Sequence, residues 1–363
     1  MLNRDTTFII GAGGSFDFGF PLGDKLRDCI TDLLKINDPN ISTNFSDPVL
    51  APLLRDKAVQ EAGLKAWPTR LAAYRRAASI IIAGLPFARS IDTLLDGLRD
   101  DPDVEFLAKL AIATVILRAE HNSPLTAKVV HAANADQIVA QRLKRLTSSW
   151  HAELGQILYE GHTRHTLEEI FQRASFVIFN YDRCIEEFLT TSLMRRFAVD
   201  RARALAAVAK CRIVHPYGQV GGYFPDEPGH VPFGACEIEN LLPVASGIKT
   251  FTESMEEATG DEVKDAIARA ETLVFMGFGW LPQNMELLTA NGRVTHAAKV
   301  FATALGMEVG EIMVVADQID QILRRAGHSS EYERTPLPSA EFIYDRGDCK
   351  ALMQNCWLRL TSG

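Results

Sequence analysis

The chain has no C-x-x-C pair: its six cysteines, Cys29, Cys184, Cys211, Cys236, Cys349 and Cys356, are scattered. That spacing excludes a zinc ribbon built from two such pairs and leaves the thiols as small buried hydrophobes of a reducing compartment. No apolar run reaches the ~18 residues of a membrane span. A secretory leader pattern of basic head, apolar stretch and small-residue cleavage site is also missing, so a cytoplasmic location is expected. Basic charge is in short supply, with 38 Lys and Arg against 46 Asp and Glu and a net charge of -8. Free-standing nucleic-acid binding needs a basic face and is therefore not expected. The one basic stretch, residues 194–212, alternates with Ala, Val and Leu at helical spacing and reads as a solvated helix face. Internal repeats and low-complexity tracts are absent.

What is present is an ordinary globular composition, 47% hydrophobic and 23% charged over 363 residues, enough for one large domain or two moderate ones. Short, continuously apolar runs at 7–10, 176–179, 212–214, 272–276, 299–302 and 341–344 read as strands. Helical spacing fills the intervals: 22–34, 183–210 with a break near Val199 and Asp200, 253–270, 283–290, 310–325 and 349–358. Between residues 49 and 172 the pattern is almost wholly helical, with Ser90 as N-cap of a helix from Ile91. His162, His165, Glu168 and Glu169 have the spacing of one helical face, read as a solvated surface. Apolar strands separated by helices imply a parallel sheet buried on both faces. The expected fold is α/β: a Rossmann-like parallel sheet from residues 1–35 and 174–363, with a large helical insertion at 36–173.

In such sheets ligands bind outside the carboxyl ends of the strands, so the residues just after each strand carry the functional signal. The first strand runs into Gly11-Ala12-Gly13-Gly14-Ser15. Glycines allow close approach to a phosphate, and the next helix start offers amides and a positive dipole end; a tight turn needed only for packing is the other reading. The third glycine of G-x-G-x-x-G is replaced by Phe16, and no strand ending in Asp or Glu comes ~20 residues on, which disfavours an ordinary dehydrogenase fingerprint. The run 176–179 ends in Asn180-Tyr181-Asp182, which reads as a site pair or as a helix cap. Strand 212–214 delivers His215, a site group or a satisfied core histidine. Strand 272–276 delivers Gly277-Phe278-Gly279-Trp280. Capping and packing do not call for polar groups or glycines at four successive carboxyl ends, which favours the joint functional reading.

In this order the set resembles the sirtuin-like superfamily. Gly11, Ala12, Gly13 and Ser15, then Gly19 and Pro21, resemble the family's first motif, G-A-G-x-S followed by G-x-P. Asn180 and Asp182 match a looser N-x-D form of its second motif. His215, with Gly218 nearby, falls where the family has its catalytic histidine. Gly277, Phe278, Gly279 and then Asn284 are similar to the adenosine-side loop. Ser90-Ile91-Asp92 with Leu94-Leu95 resembles a segment of the helical insert in bacterial members. The chain departs from protein deacylases of the family in lacking the zinc ribbon and in having Leu22-Gly23-Asp24 where they have D-F-R.

The resemblance implies a bacterial NAD hydrolase of anti-phage defence, with NAD as substrate, no metal, and control by homo-oligomerisation or by a sensor or ATPase partner. It implies that the Gly11–Ser15 amides and the Ser15 hydroxyl bind the pyrophosphate, and that Asn180 positions water or a ribose hydroxyl. His215 is then the general base, Asp182 binds ribose or orients Asn180 and the loop, and Gly277, Phe278, Gly279 and Asn284 lie toward the adenosine. A non-catalytic NAD or ADP-ribose sensor is the alternative, and a deacylase is opposed by the missing zinc ribbon.

Overall fold

The computed structural model describes residues 1–36, 45–126, 135–256, 258–289, 297–325 and 341–362. Six strands are present among them: β1 (Thr6–Ile10), β2 (Ala174–Ile178), β3 (Arg212–Val214), β4 (Thr272–Met276), β5 (Lys299–Thr303) and β6 (Glu341–Asp345). The helices before β2 are α1 (Gly23–Leu33), α2 (Leu50–Gly84), α3 (Ile91–Gly97), α4 (Pro102–Asn122), α5 (Ala135–Thr147) and α6 (Trp150–Tyr159). After it come α7 (Cys184–Phe197), α8 (Arg201–Val208), α9 (Ile238–Ser246), α10 (Phe251–Glu256), α11 (Ala258–Arg269), α12 (Pro282–Thr289), α13 (Val309–Arg325) and α14 (Cys349–Thr361). No single helix among the described residues is long and apolar enough to cross a membrane.

Contacts divide the chain into two compact units, one of Met1–Gly19, Ser123–Pro216 and Ser254–Gly363, the other of Phe20–Asn122 and Tyr217–Glu253. The first unit holds the sheet, in the order β3-β2-β1-β4-β5-β6. Every neighbouring pair is parallel. The fold is thus α/β and Rossmann-like. All five residues of β1 and of β4 are buried, as expected for central strands covered on both faces. Their registers run from Thr6 opposite Thr272 to Ile10 opposite Met276. Across the sheet Phe8 stacks on Phe176 with ring centres 5.2 Å apart. From β1 the chain goes to β2 on one side, and later returns to β4 on the other. That reversal is the switch point at which open α/β sheets bind ligands, beyond the carboxyl ends of the strands.

Two local features agree closely with the sequence. The break expected near residue 199 separates α7 from α8: Ala198 takes a left-handed conformation (φ 51°), and the Asp200 side chain caps α8 by accepting from the Arg203 amide. Ser90 caps α3 through the Thr93 amide at 3.1 Å. The stretch expected as a helix at 166–171 is instead a single 3-10 turn, Leu167–Glu169. His165, Glu168 and Glu169 are exposed there, so the four residues do not share a helix face.

The helical block expected at 36–173 is divided between the units. Residues 123–173 cluster with the sheet because α6 packs on α14 and Trp150 Nε1 donates to the Gly14 carbonyl at 2.7 Å. In the second unit α4 is buried on nearly every side, the mark of a helix running through a core; it packs on α2 and α9. A bend in α2 at Gly63 (φ 75°, ψ 171°) brings Glu61 to Tyr74 Oη at 2.8 Å. Burial raises the Glu61 pKa, but hydrogen bonds from Arg70, Tyr74 and Lys57 outweigh it and pull the value down to about 2.

Candidate functional site

The two glycine loops meet at the switch point, backbone against backbone. A Cβ on Gly277 would lie 2.4 Å from the Gly13 carbonyl carbon, and one on Gly11 would lie 2.6 Å from the Gly277 oxygen. Gly277 also has φ 57°, a region that side chains disfavour. Its amide donates to Thr303 Oγ1 at 2.8 Å. The Gly11 amide bonds Met276 O, that of Gly13 bonds Gly277 O, and that of Gly14 bonds Gly11 O, all within 2.8–3.0 Å. Three amides expected to hold a pyrophosphate are therefore spent inside the protein. The glycines are needed for close packing of the loops after β1 and β4, which corrects that part of the expectation. Ala12 opens the 3-10 turn Ala12–Phe18 behind Gly11 as N-cap, the position whose amide a helical turn leaves unbonded.

Polar side chains gather at the adjacent ends of β1 and β2. Asn180 is 9% exposed and Asp182 4%. Asn180 Nδ2 donates to Gly11 O and to Ser15 Oγ, each at 3.0 Å. Ser15 Oγ in turn donates to Asp182 Oδ1 at 3.0 Å. An amide nitrogen carries two hydrogens, so both of Asn180's are committed. Asp182 Oδ1 also accepts the Cys184 amide at 3.1 Å. Asp182 thus ties the start of α7 to Ser15. Burial raises the Asp182 pKa, with Cys184, Ser15 and His215 opposing.

His215, just past β3, reaches the same cluster. Its side chain is 8% exposed. Nδ1 donates to the Asn180 carbonyl at 3.1 Å, and Nε2 bonds Glu186 Oε1 at 2.9 Å. Burial disfavours the imidazolium, yet the Glu186 charge and hydrogen bond, the Asn180 carbonyl and Asp182 outweigh it and raise the pKa. With both nitrogens engaged, His215 in this geometry is not the free general base expected from the sequence. Glu186 is the residue that sequence reasoning missed. It lies in the first turn of α7, where acidic residues are common for dipole reasons alone, and only the fold brings it to β3.

Of the expected residues, the structure brings together Gly11, Gly13, Ser15, Asn180, Asp182, His215 and Gly277. Gly14 sits beneath Trp150, with room for no Cβ against Ile10 Cγ2 at 2.5 Å. Phe278 is 6% exposed and packs among Phe179, Phe275 and Trp280. Gly279 is exposed, and a Cβ there meets nothing within 4 Å. Asn284 is buried in the first turns of α12. Pro21 belongs to the second unit. Among the described residues no group of three His, Cys, Asp or Glu could hold a metal ion. No family model, no curated protein and no solved structure matches the chain. The sirtuin-like resemblance therefore rests on its sequence motifs.

Proposed function

We propose that this chain is a sirtuin-like NAD glycohydrolase, cleaving the nicotinamide–ribose bond to give nicotinamide and ADP-ribose. The observation that carries the reading is the buried chain of hydrogen bonds from Gly11 O through Asn180 and Ser15 to Asp182, joined by His215 on the Asn180 carbonyl. These groups cap three neighbouring parallel strands beside the switch point, where dinucleotides bind in folds with this strand order.

The chemistry asks little of an acid. Nicotinamide leaves as a neutral molecule, and the transition state resembles an oxocarbenium ion, as in glycoside hydrolysis. Such a site needs groups that hold the ribose, align water and accept its proton. Asn180 Oδ1 accepts from a ribose hydroxyl or from the water. Ser15 and Asp182 fix the Asn180 amide so that Oδ1 is presented in one orientation. In this reading the Ala12 amide, and not those of Gly11, Gly13 and Gly14, serves the phosphates. Proton uptake falls to the His215 end of the network. A role as an NAD-depleting defence effector, held off by a partner or by assembly of copies, rests on the resemblance alone.

Incubation of the purified chain with NAD tests the reading. Nicotinamide release is expected from wild type, with Asn180→Ala slower by about 10²-fold or more, the low end for loss of positioned acid–base help. Failure of wild type to bind NAD rejects it.

A further inference from the structure

We propose that Glu186 is the proton-accepting residue of this site, with His215 as its positioning partner. The catalytic half of this inference rests on the NAD reading; the pairing of the two side chains rests on geometry alone. His215 Nδ1 is fixed as a donor by the Asn180 carbonyl, and a ring held that way on one side has its tautomer set. Nε2 and Glu186 Oε1 lie 2.9 Å apart and share one proton. Neither ring nitrogen is then open to a substrate. Glu186 is 2% exposed, and its second oxygen, Oε2, is buried with no hydrogen-bond partner. Buried carboxylate oxygens are costly to leave unbonded, and unpaired ones mark places where a ligand or reacting group completes the set. The adjacent Glu187 offers no such atom, since both of its oxygens are taken by Arg201 at 3.0 and 2.7 Å.

The step balances without a further reagent. The C1′–N bond breaks with its electron pair staying on the nicotinamide nitrogen. A water oxygen forms the new bond to C1′, and the proton it gives up goes to Glu186 Oε2. His215, already holding the proton on Nε2, keeps Oε1 occupied and leaves Oε2 as the basic atom. Two further titratable groups face the pair: Asp182 acts on the imidazole from the turn between β2 and α7, and Cys211 faces Glu186 from just before β3.

The test combines kinetics with an NMR titration of the His215 imidazole, in wild type, Glu186→Gln and Glu186→Asp. Glutamine keeps the shape and removes the basic oxygen. The expected result is a fall in kcat of about 10²-fold or more with KM changed by less than about threefold, loss of the acidic limb of the pH–rate profile, and an imidazole titrating at least about one pH unit lower. Glu186→Asp keeps the charge and should recover part of the rate. Glu186→Gln turning over NAD with the wild-type rate and pH profile overturns the catalytic assignment while the NAD reading stands. An unchanged imidazole titration in folded Glu186→Gln overturns the pairing. A wild type that does not bind NAD rejects the NAD reading and the role of Glu186 with it, while the titration still decides the pair.

Discussion

Two histidines of the sheet-bearing unit, His151 and His215, have pKa values that move in opposite directions. His151, on α6, is 1% exposed. Its ring lies 4.0 Å from that of Trp150, 4.3 Å from Phe18 and 5.3 Å from Phe188. Neither of its nitrogens has a hydrogen-bond partner, and burial pushes its pKa well below the usual value. The side chain of half-buried His215 is 8% exposed, but a carbonyl and a carboxylate face its two nitrogens, and its pKa is raised. Burial by itself therefore does not set a histidine's charge state. What keeps a buried ring charged is a partner that holds the charged form, because desolvation alone can only favour the neutral ring.

The same substitution at both sites should give different results. His215→Leu leaves Glu186 buried without its partner, and removing one member of a buried pair costs about 3–5 kcal/mol. His151→Leu replaces an unbonded polar ring among aromatics with an apolar group of similar volume, a change expected to stay within about 1.5 kcal/mol of wild type and able to stabilise. Urea denaturation at neutral pH reads both. Equal losses at the two positions would break the contrast.

Stability against pH sharpens it further, because the two pKa values move in opposite directions. The folded-state pKa of His151 lies below its ordinary 6.5. As pH falls through 6.5 the unfolded chain takes up the proton first, so stability declines on the acid side. The folded-state pKa of His215 lies above 6.5. Its contribution is complete below 6.5 and is lost as pH rises through the folded value. Moving a pKa by one pH unit corresponds to about 1.4 kcal/mol. Melting temperatures recorded between pH 5 and 9 should show a flatter acid limb in His151→Leu and a flatter alkaline limb in His215→Leu or Glu186→Gln. Asp182, also raised, acts lower, where its contribution fades as pH climbs above 3.8.

Much of the fold was legible because buried parallel strands announce themselves as continuous apolar runs. All six expected strands are found, with β2 beginning two residues before its apolar run, at Ala174. The helix break near 199 was legible because Asp200 is a capping residue placed after a helical stretch. The division into units was not, since it depends on packing between segments far apart in sequence, such as α6 on α14. A glycine states only that a Cβ is missing. Whether phosphate or backbone fills the room is a three-dimensional matter, and at Gly11, Gly13 and Gly277 it is backbone. Glu186 escaped notice for a related reason: an acid in the first turn of a helix has a sufficient local explanation, and its meeting with His215, 29 residues on, leaves no periodic signal.

A last expected effect joins the two histidine environments. Trp150 packs against His151 and also donates from Nε1 to Gly14 O, so the apolar cluster anchors the glycine loop that carries Ser15. Trp150→Phe keeps an aromatic ring beside His151 and removes one buried hydrogen bond. The stability loss should be about 1–3 kcal/mol, the cost of leaving the Gly14 carbonyl unpaired, and below that of His215→Leu. If the loop matters to the site only through its anchoring, nicotinamide release should fall by less than about tenfold, because Asn180, Asp182 and the Glu186–His215 pair all remain. A loss as large as that of Asn180→Ala would mean that the apolar side positions the reacting groups as tightly as the polar side does, and that the division drawn between the two histidines is too sharp.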